Sequence, residues 1–324
     1  MKDFSGKLAV ITGGGTGMGR ELAHQLIAEG CDVAICDVIA ENMAETKRLC
    51  EAKSPQGKVV SEFQCDVSSE TELLAWRDHI KSAHKTDHIN LLFNNAGVAG
   101  GGSFINDDRD HWERTFNICW NGVYQSTRVF LPMLIASDEG HLVNTSSING
   151  FWASLGPHFA HTAYSTAKFA VKGFTESLVN DFRLHAPHVK VSLVMPGHIG
   201  TDIAINSRLI HGGKQAELLT DAELIAHQRQ ITASGTPVDH LSLEDIRKIV
   251  DSFGNDFKNK APVTAAEGAR MILDGVKAEK WRILLGEDAH RLDEAVRANP
   301  EDIYEVDFFK KNLVPTLGQE ATED

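Results

Sequence analysis

Positive charge is scarce in this chain. Its 324 residues carry 32 Lys and Arg against 45 Asp and Glu, a formal net charge of −13 at pH 7. That balance disfavours nucleic acid and anionic membrane surfaces as partners, because both select a basic patch. Cysteine is sparse too. The five present show no paired spacing, which argues against a disulfide framework and fits a reducing compartment. Cys31 and Cys36 read as packing residues around one strand. No apolar run is long enough to span a bilayer, and Met1-Lys2-Asp3-Phe4 leads almost directly into a strand-like segment, so no signal peptide is read and a cytoplasmic location is expected. No Pro- or Gly-rich linker and no internal repeat interrupts the sequence, which favours one large α/β unit over two small ones.

What the chain does contain is a proton-transfer pattern. Tyr164 and Lys168 stand four residues apart in a predicted helix, with Ser147 upstream. Spacing i, i+4 places both side chains on one helical face, where an ammonium can stabilise a phenolate. A free tyrosine titrates near ~10, so a base poised near neutrality must come down by roughly 2–3 pKa units, or about 3–4 kcal/mol. Lys168 alone does not supply that. The positive charge of an oxidised nicotinamide would supply the rest, and the N-terminus offers a place for one. Leu8-Ala9-Val10-Ile11 reads as a buried parallel strand that breaks into Thr12-Gly13-Gly14-Gly15-Thr16-Gly17-Met18-Gly19 before a helical pattern. Glycines let the backbone approach a pyrophosphate, and the free N–H groups of the following helix attract it. A second apolar run, Val33-Ala34-Ile35-Cys36, ends in Asp37, 18 residues beyond Gly19, close to the spacing of an acid that binds ribose hydroxyls. NAD is favoured over NADP, since Asp37 would repel a 2′-phosphate and neither Thr16 nor Val38 adds a compensating positive charge.

Together these residues resemble the short-chain dehydrogenase/reductase family, strongly over about residues 5–202. Asp66-Val67 resembles the family's adenine-contacting pair, and Asn94-Asn95-Ala96-Gly97 its turn after the fourth strand. Asn144-Thr145-Ser146-Ser147 resembles the end of the fifth strand, with Ser147 rather than Ser146 aligned to the catalytic serine. Pro196-Gly197-His198-Ile199-Gly200-Thr201 resembles the segment that receives nicotinamide, through the Ile199 backbone and the Thr201 hydroxyl. Arg282-Ile283-Leu284-Leu285-Gly286 resembles the last strand. The resemblance implies a Rossmann-type doubly wound parallel sheet of about seven strands with helices on both faces. It also implies reversible NAD-dependent interconversion of a secondary alcohol and a ketone. In that reaction Tyr164 is the acid/base, Ser147 holds the substrate oxygen, and Lys168 depresses the Tyr164 pKa and bonds the nicotinamide ribose. The expected division is residues 1–290 as the dehydrogenase domain, with 203–262 inserted as a substrate lid, and 291–324 as a C-terminal extension with a disordered tip. A homodimer or homotetramer is expected.

Two departures from the family pattern touch the expected active site. Cys119 stands where the family has a fourth catalytic residue, an asparagine. Asn117 and Asn121 flank it, and neither replaces it without a local bulge, because two residues rotate a helical side chain by about 200°. The backbone carbonyl that the family uses there is kept, and a buried free cysteine ordinarily packs as a small hydrophobe. The interval from Ser147 to Tyr164 is also about four residues longer than usual. Its Phe151, Trp152 and Phe159 suggest a bulky, mostly apolar substrate, and His158 and His161 lack companions for a metal site. Within 203–262, Thr220/Glu223 and Ser242/Asp245 read as helix starts, and Leu243, Ile246, Ile249, Val250, Phe253 and Phe257 form an apolar stripe. That stripe could cover the Rossmann body, a substrate or a second subunit. A non-catalytic NAD sensor acting through the lid and tail is the alternative function.

Overall fold

Short apolar runs with helical segments between them can bury both faces only as a parallel sheet between helix layers, and the computed structural model has that form. It describes residues 1–55, 57–156, 159–214, 216–233 and 237–312. In chain order the first half runs β1 (Leu8–Thr12), α1 (Gly17–Ala28), β2 (Asp32–Asp37), α2 (Ala40–Lys53), β3 (Val60–Gln64), α3 (Glu70–His84) and β4 (Leu91–Asn94). It continues with α4 (Arg109–Phe116), a π-helical turn (Asn117–Asn121), α5 (Gly122–Ile135), β5 (Gly140–Thr145), α6 (Thr162–His185) and β6 (Val189–Pro196). Seven strands pair in the order β3-β2-β1-β4-β5-β6-β9, all parallel, with β9 (Arg282–Leu285) at one edge.

Alternate residues of each strand feed two cores. Ala9, Ile11, Val33, Ile35, Leu91 and Phe93 pack on the face that holds α1 and α10 (Ala265–Lys277). Leu8, Val10, Ala34, Cys36 and Leu92 pack with Trp76, Phe130 and Phe182 of α3, α5 and α6 on the other. The strand order reverses between β1 and β4, so the carboxyl ends of these two strands open a crevice, the place where such sheets bind ligands.

Between β7 (Ile199–Gly200) and β8 (Val263–Thr264), which pair in parallel, the chain inserts α7 (Ile203–Ile210), α8 (Asp221–Ala233) and α9 (Leu243–Asn259). The starts of α9 and α10 are fixed by reciprocal capping boxes, Ser242 with Asp245 and Thr264 with Glu267. The apolar stripe of α9 is divided, with Phe253 64% exposed and its N-terminal part turned into the insertion. Ile246, Ile249 and Val250 pack with Leu219, Leu224 and Val238 inside the insertion itself, while Gly254 meets Ile205 of α7. After β9 come α11 (Glu287–Ala298), which packs on β9, and α12 (Val306–Asn312). The end of the extension, 313–324, where a disordered tip is expected, lies outside the described residues. No described helix is long and apolar enough to cross a membrane.

Candidate active site

The crevice between β1 and β4 is lined by Gly13, Thr16, Gly17, Met18, Asp37, Val38, Asp66, Val67, Asn95, Ala96, Gly97 and Thr201, all read from the sequence as cofactor contacts. Backbone proximity explains the glycines. A Cβ on Gly13 would come within 2.8 Å of Ala96 Cα, and Gly17 holds φ 54° with Thr201 against it. Thr16, the N-cap of α1, makes no side-chain cap, so the helix opens on the crevice with free N–H groups. Gly19, Pro196, Gly197 and Ile199 lie behind the lining; Gly19 is pressed against the Gly13 carbonyl and Ile199 is buried in the α1 core.

Asp37 ends β2 with Oδ2 accepting Gly15 N at 2.9 Å and Oδ1 accepting Ile39 N at 3.1 Å. Burial pushes its carboxyl up, against those bonds and the nearby Arg20. Arg20 itself is occupied: it donates to the Gly15 carbonyl at 2.6 Å, the Asn42 carbonyl at 3.2 Å and Thr46 Oγ1 at 2.9 Å. Burial works against ionisation of Asp66, but Ser68 and Arg114 (2.9 Å) outweigh it and hold that carboxyl below its usual range. Asn95 joins the two strand ends, donating to the Thr12 and Gly13 carbonyls at 3.2 and 3.3 Å.

Behind Gly97 lie the groups with proton chemistry. Lys168 Nζ donates to the Thr145 carbonyl at 2.9 Å and sits 5.4 Å from the centre of the Tyr164 ring. Ser147, in extended backbone just past β5, accepts from Asn149 N at 3.1 Å and is hydrogen-bonded to Tyr164. Ser146 points elsewhere, donating to the Lys168 carbonyl at 2.8 Å. Burial pushes the Tyr164 phenol up, opposed by the Ser147 bond, and pushes the Lys168 ammonium down. His161 stacks 4.7 Å from the Tyr164 ring, and burial brings it down to about 4, so it is neutral at physiological pH.

This arrangement can bind a dinucleotide across the sheet and move a proton at its end. A sequence model of the short chain dehydrogenase family matches residues 7–209. The chain belongs to the short-chain dehydrogenase/reductase family. It is therefore an oxidoreductase of Rossmann fold that binds NAD or NADP. It is 35% identical over 279 residues to a Mycobacterium tuberculosis protein named as an oxidoreductase, SadH, covering 85% of this chain and 97% of that one. Among solved structures, a short-chain dehydrogenase/reductase from Burkholderia phymatum in complex with NAD aligns with TM-score 0.71 and 26% identity over 100% of this chain and 99% of that chain. A metagenomic short-chain oxidoreductase in complex with NADP aligns with TM-score 0.53 and 29% identity over 65% and 92%.

Within this dehydrogenase/reductase the geometry bears on two of the sequence readings. The helix does bulge at Asn117–Asn121, yet the bulge delivers neither asparagine to Lys168: Asn121 Nδ2 donates to Asn117 Oδ1 at 2.7 Å. Cys119 occupies the inner position, its Sγ donating to the Val98 carbonyl at 3.2 Å and accepting Val98 N at 3.5 Å. Trp152 faces away from the crevice. It is 1% exposed, stacks edge-on with Phe308 at 5.7 Å, and donates Nε1–H to the Ile303 carbonyl at 2.7 Å, so it anchors the C-terminal extension. His158 lies outside the described residues. The sequence reading missed Arg114, Asn206 and Ile210 in the lining; Asn206 Nδ2 donates to Thr16 Oγ1 at 2.9 Å, a contact that no local pattern signals.

Proposed function

We propose that this oxidoreductase interconverts a secondary alcohol and a ketone with NAD, and that the Tyr164–Ser147–Lys168 cluster is its catalytic centre. The carrying observation is a partly buried Tyr164 hydrogen-bonded to Ser147, with Lys168 against its ring and behind Gly97 of the crevice lining. In alcohol oxidation Tyr164 takes the hydroxyl proton, and Ser147 donates to the substrate oxygen as charge develops on it. Lys168, held by the Thr145 carbonyl, biases Tyr164 toward phenolate and binds the ribose beside it. Thr16 to Gly19 would hold the pyrophosphate, Asp37 the adenosine ribose, Asp66 and Val67 the adenine, and Pro196 to Thr201 the nicotinamide ring. When bound, the nicotinamide supplies the hydride acceptor. NAD is supported over NADP by Asp37 at the crevice and by Arg20, whose Nε and Nη2 are already engaged.

The segment 203–262 acts as the lid. Its α7 spans the crevice, with Asn206 on Thr16 and Ser207 Oγ accepting Ala99 N at 2.8 Å. An apolar substrate is supported by two exposed apolar side chains, Phe104 at 75% and Ile105 at 90%, on a loop joined to the Tyr164 helix by Thr162 N donating to the Gly102 carbonyl at 2.9 Å.

The test is NADH absorbance with NAD, and NADP in parallel, against 1-phenylethanol, cyclohexanol and 3-hydroxysteroids. Turnover with NAD is expected, and Tyr164→Phe should lower kcat by about 10³-fold or more while NAD still binds. Turnover retained by that variant would remove Tyr164 from the role. Silence across the panel with NAD bound would favour a non-catalytic NAD-binding protein.

A further inference from the structure

The second residue of α11, Asp288, reaches the turn that follows β6. It is 7% exposed, and its Oδ2 accepts the His198 backbone N–H at 2.7 Å. Two glycines make room for it: a Cβ on Gly197 or on Gly286 would overlap the carboxylate, and Gly286 holds φ 92°, a conformation that favours glycine. Oδ1 is fully buried without a partner among the described residues. An acid in the first turn of a helix ordinarily serves that helix, through its dipole or by capping a free N–H. Asp288 is spent instead on a segment 90 residues away. A buried carboxylate with one orphaned oxygen is a net cost to stability, so a purely structural site would do better with an apolar side chain.

The turn that Asp288 grips is held elsewhere too. Gly197 N donates to the Leu285 carbonyl at 2.9 Å, and the His198 ring meets the Phe257 carbonyl of α9 at 2.7 Å. Beyond α11 the chain continues to Ile303, whose carbonyl takes Trp152 Nε1–H at 2.7 Å a few residues past Ser147. One run of chain therefore touches both the segment read as the nicotinamide seat and the loop that follows Ser147.

We infer that Asp288 is a positioning residue: by fixing the His198 amide it sets the backbone of Pro196–Ile199, and so the placement of the nicotinamide against Tyr164. This rests on the reading of 196–201 given under the proposed function. Sub-ångström placement of reacting groups is what a loosened seat would lose, and losses of ~10²-fold follow from misplacements of about 1 Å.

The experiment compares Asp288→Ala with Asp288→Asn in the full chain, using whichever of 1-phenylethanol, cyclohexanol and 3-hydroxysteroids turns over fastest, in ordinary and carbinol-deuterated form. Asp288→Ala should lower kcat about tenfold or more and raise the deuterium isotope effect on kcat, because hydride transfer becomes limiting, while NAD affinity by fluorescence moves less than about threefold. Asp288→Asn keeps an oxygen for the His198 amide and should return kcat to within about threefold of wild type. A general loss of stability would move neither the isotope effect nor the kcat of the folded fraction. Unchanged kcat and isotope effect in Asp288→Ala overturn the inference, as does an equal loss in Asp288→Asn. Should Asp288→Ala not fold, Asp288→Ser, whose hydroxyl falls short of the amide, takes its place with the same expectations. A wild type silent on every alcohol overturns the reading of the whole site and Asp288 with it; an active wild type with an indifferent Asp288→Ala removes Asp288 alone.

Discussion

Tyr164 concentrates the electrostatics of the site in one phenol. Burial pushes its pKa up, and the Ser147 hydrogen bond only partly offsets that. The same burial pushes Lys168 down, so the protein without cofactor keeps a neutral phenol at pH 7. Only the deprotonated form accepts a proton from an alcohol, and only the neutral form donates one to a ketone. The two directions must therefore differ in sign. For oxidation, kcat/KM should climb with pH across about 6–9, with a slope approaching one log unit per pH unit; for ketone reduction it should stay flat and then fall at the alkaline end. Initial rates in both directions over that range check this. A pH-independent oxidation rate would place the proton acceptor elsewhere. His161 adds no limb in this window, since burial has already brought its pKa down to about 4.

At the scale of elements, the turn Asn117–Asn121 shows how far sequence spacing carries. Gly13 to Gly19, Asp37, Tyr164 and Lys168 are legible because each depends on a local period: a strand breaking into glycines, an acid closing the next strand, two side chains one helical turn apart. Arg114 on Asp66, Asn206 on Thr16 and Asp288 on His198 are illegible for the opposite reason, since they join positions 48, 190 and 90 residues apart that meet only once the sheet and the insertion have formed. Trp152 misled for a related cause: apolar composition calls for burial without naming the wall, and the wall is the extension carrying Ile303 and Phe308. Cys119 lies between these cases. Counting back from Gly122 finds its position, and the π-turn then sets its surroundings, with Gly122 N donating to the Asn117 carbonyl. Burial pushes the Cys119 thiol up, with Lys168 opposing, which disfavours the thiolate that nucleophilic or redox chemistry would need. Any residue here keeps the backbone carbonyl on which the family's use of this position depends. Cys119→Ala should therefore keep kcat within about threefold while costing on the order of 1–2 kcal/mol for the lost sulfur packing. Steady-state rates and urea unfolding of the same samples separate the two effects, and abolished turnover in a stable protein would give the thiol a chemical role.

For the whole molecule the open question is which surfaces are left for a second copy. Across the sheet edge at β9, α11 packs on the strand, and Arg282 pairs with Asp293 at 2.5 Å and 3.0 Å, so the chain's own helix covers that edge. The opposite situation holds where α5 meets α6. Trp120, Tyr124 and Phe174 cluster there with ring centres 5.6 to 6.3 Å apart, yet Tyr124 remains 40% exposed in the isolated chain. Aromatic side chains left half-covered on two adjacent helices are the composition of an interface core, and no segment of the described chain covers them. One available face and one blocked face favour a homodimer over a tetramer. Sedimentation velocity at micromolar concentration should give a single species of twice the 35.5 kDa chain mass, and Tyr124→Glu should shift it to the monomer, since a carboxylate buried at an interface core costs several kcal/mol. A stable wild-type tetramer would show that α11 does not block the edge, and a dimer indifferent to Tyr124→Glu would move the contact off the α5–α6 face.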